Sequence, residues 1–214
     1  MTSVVTKTSA LLTLSALMAI PGAAQAQVEY YYGVDLTSNY LSKGATVTDD
    51  KPAIQPWFFV FNDIYYAGVW ASNTDTDIET DLLIGAKPRV GNVELDIGIG
   101  RYFYRDDPTN FGEVWIKSQW EVVPGTFVGA QYYREIFFDQ DWVALTAQYD
   151  LQPQDVTVSG RIGTDLGTKG LSDDLVAWDI GTSRDLTNFA AIDLRYHDSN
   201  LDDGKFALTI KLSN

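Results

Sequence analysis

From residue 93 the chain reads Val93-Glu94-Leu95-Asp96-Ile97-Gly98-Ile99-Gly100, with apolar side chains at odd positions and polar or small ones at even positions. Only an extended strand sends alternate residues to opposite faces, so this segment has one apolar and one polar face. The same period of two recurs at residues 156–162, 176–181, 192–196 and 206–212. Beyond residue 26 no segment sustains an i, i+3, i+4 apolar repeat, and no apolar run has the length of a membrane-spanning helix. The chain is therefore expected to be all-β.

The connections carry a second rhythm. Short breakers at 62–63, 90–92, 124–125, 152–154 and 186–188 alternate with longer, Asp-rich segments at 43–51, 73–79, 106–112, 138–141, 166–174 and 198–204. About twelve strands of roughly ten residues fit between them, the length that crosses a bilayer at a tilt. Tight turns at one end and long polar loops at the other predict a transmembrane antiparallel β-barrel. A soluble β-sandwich needs no such one-sided distribution of loop lengths. An even strand count also returns the C-terminus to the end where the chain began. Tyr30, Tyr32, Tyr65, Tyr66, Trp70, Tyr102, Tyr104, Trp120, Phe127, Tyr149, Phe189 and Tyr196 fall near predicted strand ends. They are expected to form two interfacial girdles of amphipathic rings.

The N-terminus fits an exported protein. Lys7, a short apolar run from Ala10 to Ile20 and the small-x-small sequence Ala24-Gln25-Ala26 have the layout of a cleaved signal peptide. The expected organisation is thus a signal peptide at 1–26 and a barrel at 27–214, placed in the bacterial outer membrane. The chain holds 15 Lys and Arg against 29 Asp and Glu. Lys7 belongs to the leader, which leaves 14 against 29, a net charge of −15. Such a chain repels nucleic acid, whose affinity comes from basic groups on phosphates. With no cysteine there is no disulfide framework and no thiolate chemistry.

Residues 38–55 carry a family resemblance. Ser38-Asn39-Tyr40-Leu41-x-Lys43-Gly44, followed by Thr48-Asp49-Asp50-Lys51-Pro52-Ala53-Ile54-Gln55, resembles the start of TorF-like porins, the Gcw_chp family of proteobacterial proteins. The stretch Tyr65-Tyr66-Ala67-Gly68-Val69-Trp70-Ala71-Ser72-Asn73 is similar to that family's next strand, while Glu79-Thr80-Asp81-Leu82 and Tyr196-His197-Asp198 are compatible with it but less specific. The resemblance implies an outer-membrane barrel of porin type whose substrate is not established. Lys43 stands where the family usually has Arg, which keeps the charge and loses a planar, bidentate contact. Trp57 and Phe59 occupy a stretch that is usually less aromatic, and the uniformly apolar run 53–61 does not say which way they face. Ser38-Asn39-Tyr40 is expected to top the first strand and Pro52-Ala53-Ile54-Gln55 to start the second, with the first outward-facing loop between them, Lys43 leaning over the barrel mouth and Asp49 and Asp50 in solvent.

Parity against the apolar face names the candidate pore-lining residues: Lys43 from the loop, and Asp35, Asp81, Glu94, Asp96, Glu113, Lys117, Arg161, Asp179, Asp193 and Arg195 from strands. Lys87, Glu121, Lys205 and Lys211 share that parity. A wet lumen tolerates such charges, whereas lipid-facing charge at mid-depth costs about 2–4 kcal/mol. They either select solutes by field and diameter or pair with one another and fill a narrow barrel. His197-Asp198-Ser199-Asn200 has the look of an outer-membrane phospholipase site, but His197 takes inward parity and Ser199 falls in turn-like sequence. Asp75-x-Asp77-x-Glu79-x-Asp81 lacks the Gly and bidentate Glu of a calcium loop. Gly98-x-Gly100 opens no helix and makes no phosphate cradle, and is read instead as room for Tyr102 or Trp115. The expectation is a passive channel for small hydrophilic solutes or ions, with no catalytic residue, metal or cofactor. Its expected partners are outer-membrane lipid, lipopolysaccharide and the barrel-assembly machinery. The alternatives are a non-conducting structural or adhesion barrel and, less favoured, a lipid hydrolase.

Overall fold

The computed structural model describes residues 27–105, 111–137, 140–166 and 175–214. The expected signal peptide at 1–26, and the expected loop residues 106–110, 138–139 and 167–174, lie outside the described residues. Twelve strands cross the molecule: β1 (Val28–Thr37), β2 (Ala53–Asn62), β3 (Tyr65–Asn73), β4 (Ile78–Ala86), β5 (Val93–Tyr104), β6 (Phe111–Val123), β7 (Thr126–Glu135), β8 (Asp141–Leu151), β9 (Val156–Asp165), β10 (Val176–Thr187), β11 (Ala190–Ser199) and β12 (Lys205–Ser213). Each pairs antiparallel with its neighbours in the chain, and β12 returns to pair with β1, so the sheet closes into an up-and-down barrel. Closure leaves no strand edge to be satisfied by lipid, which cannot hydrogen-bond.

The seam between β1 and β12 runs from Gly33↔Ser213 to Thr37↔Thr209. Below it, Asn214 continues the ladder. Its backbone N–H donates to the Tyr32 carbonyl at 3.1 Å, its Oδ1 accepts the Tyr32 N–H at 2.9 Å, and its Nδ2 donates to the Tyr30 carbonyl at 2.9 Å. A side-chain amide thus stands in for a strand residue.

Alternation along each strand divides the molecule into two environments. The outer face carries Ile54, Leu82, Ile84, Leu145, Ile162, Ile180 and Leu194, several more than half exposed (Leu145 64 %, Ile84 58 %). In water this continuous apolar band would be an aggregation surface; in a bilayer it is the solvated face. The opposite parity points into the barrel and holds most of the strand charges, while the outward Arg134–Asp141 pair lies at the loop end. Tight turns, such as Asp63 with φ 56° and Gly125 with φ 75°, join strands at the end where Val28 and Asn214 lie. The longer connections gather at the other end. The barrel thus has a turn end and a loop end.

The girdle expectation needs a correction. Tyr30, Tyr65, Trp120, Tyr149 and Phe189 face outward at the turn end, each about half exposed or more, and Tyr196 packs outward against Trp178 and Phe206 at the loop end. Tyr66, Trp70, Tyr102, Tyr104 and Phe127 instead face inward. Position near a strand end sets depth, but parity sets the side, so adjacent residues such as Tyr65 and Tyr66 must point opposite ways. Trp57 and Phe59 are also inward, by register with Gly33 and Gly68.

Inward rings are accommodated by glycines on the next strand. A β-carbon at position 68 would collide with the Phe59 ring, and one at position 98 with the Trp115 ring. The latter agrees with the space-making role expected for Gly98; a β-carbon at Gly100 would crowd both Tyr102 (3.0 Å) and Trp115 (3.2 Å). Gly68→Ala should therefore lower stability by about 1–3 kcal/mol through overpacking. The check is the temperature at which the folded, fast-migrating gel band converts to the unfolded one. In a Phe59→Ala background the same substitution should cost less, because the two positions share one contact.

Candidate functional site

The first connection, residues 38–52, enters the barrel rather than projecting from it. Leu41–Ser42 and Ala45–Thr46 pair as a miniature hairpin. Lys43 and Gly44 form its two-residue tip, with φ of 49° and 82°. Positive φ at both central positions is the pattern of a type I′ turn, which Gly accepts freely and Lys only at a cost. Polar side chains build the hairpin's frame. Asn39 donates to Asp50 (2.8 Å) and accepts from Thr46 (2.7 Å) and Thr48 (3.1 Å), while the Thr48 hydroxyl also accepts the Tyr40 N–H (3.1 Å). Thr48 is fully buried.

The tip makes contacts round much of the ring. Lys43 Nζ donates to Glu113 on β6 at 3.3 Å and lies 5.4 Å from the centre of the Trp142 ring on β8. The Gly44 backbone sits close against Ala177 on β10 and Ser199 on β11. Tyr40 donates to Glu79 on β4 at 3.2 Å and meets the Trp70 ring edge-on at 5.5 Å. Burial, with Glu79 and Asp81 beside it, holds the Tyr40 hydroxyl well above its ordinary pKa, so it remains a donor. The base of the loop is held by Lys205 on Asp50 (3.1 Å) and by Lys51 between Asp75 (2.6 Å) and Asp49 (3.3 Å). Asp49 and Asp50 do face solvent as expected, but the loop itself is folded in. Its side chains find a partly buried carboxylate and flat indoles inside the barrel, which offset the strained tip.

Beneath this plug lies a layer of carboxylates and phenols. Tyr104 donates to Glu79 at 3.0 Å and Tyr102 to Glu113 at 2.9 Å. Lower still, two charge clusters occupy separate parts of the wall. On β9–β11, Asp179 accepts from Arg195 (2.6 Å) and Arg161 (3.1 Å), and Arg195 also reaches Ser159 (2.7 Å) and Asp193 (3.4 Å). On the side of β3, β5 and β6, Asp96 accepts from Tyr66 (2.7 Å) and Trp115 (2.9 Å), with Lys117 at 3.8 Å. Pairing makes these partly buried charges tolerable. Cavities of about 410 and 420 Å³ lie beside the clusters, the first lined by Gln131, Gln148, Arg161, Asp179 and Arg195, the second by Lys87, Glu94, Asp96 and Lys117. A third, of about 460 Å³, is lined by Asp35, Trp57, Asp185 and Lys211.

The candidate residues therefore have definite places. Asp35, Asp81, Glu94, Asp96, Glu113, Lys117, Arg161, Asp179, Asp193 and Arg195 all carry inner-face register. The barrel brings Arg161, Asp179, Asp193 and Arg195 into one network and Asp96 and Lys117 into another. Glu94 pairs separately with Arg89 at the turn end. Sequence reasoning gives Tyr102 or Trp115 room beside Gly98 and Gly100 but misses that they, with Tyr66 and Tyr104, hold these carboxylates. Parity supplied the needed signal at Tyr102 and Tyr104, which share the side of Gly98 and Gly100. His197 also faces inward, paired in register with Asp179 and Lys205. Ser199 ends β11, and its Oγ accepts the N–H groups of Asp202 (3.0 Å) and Leu201 (3.3 Å). Among the described residues no group of three or more His, Cys, Asp or Glu is placed to hold a metal.

A closed twelve-strand meander, apolar outside and lined with charge inside, is a porin-like barrel, and solved porins share its fold. The KdgM porin superposes with a TM-score of 0.66 at 8% identity, covering 86% of this chain and 97% of that one. The NanC porin gives 0.57 at 10% identity, covering 84% and 97%. No curated protein matches the sequence. Residues 22–213 match the model of Gcw_chp, described as a bacterial protein of unknown function, and the chain belongs to that family.

The Lys43 contacts predict how the loop is held. Lys43→Ala removes the ion pair and the ring contact together and should destabilise the barrel by about 1–3 kcal/mol, the pair being only partly buried. Lys43→Arg should retain most of that stability, since a guanidinium meets both a carboxylate and an indole. Urea unfolding followed by tryptophan fluorescence gives both values.

Proposed function

We propose that the protein is a bacterial outer-membrane channel, a TorF-like member of its family, through which small hydrophilic solutes or ions diffuse passively. The observation that carries this reading is the cavity-bearing lumen. Charged side chains with water-sized spaces between them line the inside of a barrel whose outside is apolar. A dry structural barrel has no need of paired charges where apolar packing would serve. Loop 38–52 would be its constriction, and the candidate strand residues would set the field along the path. Carboxylates outnumber cations among the inward residues named above, which favours cations. In this reading the apolar band meets outer-membrane lipid, the loop end faces lipopolysaccharide, and the assembly machinery inserts the barrel.

The inward loop is also what favours the alternative, a non-conducting barrel, because its tip spans the mouth. Purified protein in a planar bilayer separates the two. Discrete current steps are expected, with a reversal potential in a potassium chloride gradient displaced toward potassium. Silent insertion of barrel that shows heat-modifiable gel mobility would refute the channel. The KdgM porin has been solved with disordered oligogalacturonate. That ligand is an acid, and the surplus of carboxylates on the inner face here argues for a different solute.

A further inference from the structure

Lysine ammonium groups inside this barrel repeatedly settle on aromatic faces beside carboxylates. Lys43 Nζ lies 5.4 Å from the Trp142 ring centre and 3.3 Å from Glu113. Lys117 Nζ lies 4.9 Å from the Trp115 ring centre and 3.8 Å from Asp96. Lys87 Nζ stands over both Phe61 and Tyr66, 5.5 Å from each centre. An ammonium over an indole gains from the ring quadrupole, and a carboxylate beside it adds Coulomb attraction in a site with little water. The lumen thus builds the same assembly more than once and fills it with its own side chains.

A further assembly of this kind is filled differently. Trp57 lines the 460 Å³ cavity at the turn end together with Asp35 and Asp185. Gly33 fixes the ring against β1, since a β-carbon there would come within 2.6 Å of the indole. Among the described residues no lysine or arginine head lies over the Trp57 ring, and neither Asp35 nor Asp185 has an ion-pair partner within 4.0 Å. Lys211, the cross-strand partner of Asp35, also lines the cavity and acts on its carboxylate, but its ammonium is 4.0 Å from Asp193 as well, so one cation serves Asp35, Asp185 and Asp193. Ala191, in register with Lys211, gives the same cavity a small apolar wall, while the Phe189 ring at its edge faces outward.

We infer that this cavity is a binding site for small organic cations, ammonium ions bearing methyl or alkyl groups. Trp57 supplies the π face, Asp35 and Asp185 the countercharge, and the Trp57 ring with Ala191 the surface for the alkyl groups. As a step on a transport path the site rests on the channel reading; as a binding site it does not.

Choline is a suitable probe, titrated calorimetrically into the detergent-folded barrel in sodium chloride buffer, with glucose as the neutral control. Wild type should bind choline at millimolar concentration and glucose not at all. Trp57→Ala should weaken binding about tenfold, and Trp57→Phe less, in line with the smaller quadrupole of benzene. Asp35→Asn should weaken it as well. Should Trp57→Ala fail to fold by gel mobility, Trp57→Phe and Asp35→Asn carry the comparison. No choline binding by wild type, preference for glucose, or unchanged affinity in the folded Trp57 variants would overturn the assignment. Calorimetry needs no current, so a barrel that binds choline but conducts nothing would remove the channel and leave the site.

Discussion

A bilayer offers no partner to a backbone N–H or C=O, and this constraint organises the whole molecule. Twelve strands satisfy it only because β12 returns to β1 and the sheet has no edge. The shortness of that seam explains why Asn214 matters beyond its place in the sequence, since its amide supplies the pairing that the ladder lacks beside Tyr30 and Tyr32. Once the sheet is closed, every strand has an inside and an outside, and alternation becomes a separation of chemistries. Ile97 and Ile99 take lipid, while Asp96 takes a phenol, an indole and a lysine.

The closed ring then poses a second problem, how to fill a lumen lined with acids. The chain uses rings and loop 38–52. Inward tyrosines donate to Glu79, Asp96 and Glu113, so the carboxylates are satisfied without an equal number of cations. Glycines on neighbouring strands let the larger rings lie along the wall, which preserves space near the axis. The hairpin tip brings one positive charge to Glu113 from across the barrel. The same elements that satisfy the interior leave a crowded loop end and cavities nearer the turn end.

Much of the architecture was legible in the sequence because closure magnifies a simple pattern. The alternation at 93–100 gives both faces of β5 directly, and the contrast between Pro124-Gly125 and the long 38–52 segment gives the two ends. Inner-face residues such as Asp179 and Arg195 followed from parity alone. Three features did not. Run 53–61 is apolar on both faces, so only the register with Gly33 and Gly68 reveals that Trp57 and Phe59 point inward. A ring's place near a strand end gives its depth and not its side, so Tyr66 and Tyr102, expected at the interface, point inward instead. The inward course of loop 38–52 depends on a Lys-Gly turn lacking the usual Asn or Asp and on acceptors 70 to 100 residues away in Glu113 and Trp142, which no local pattern records.

The central claim is that this hairpin, seated on Glu113 and Trp142, is the narrowest part of a water-filled barrel. Single-channel recording of wild type beside a variant in which residues 41–46 are replaced by a short Gly-Ser turn tests it most directly. With folding of both confirmed by gel mobility, the variant should conduct several times more current with weaker cation preference, because obstruction and lumen volume change together. Equal conductance in the two proteins would contradict the claim.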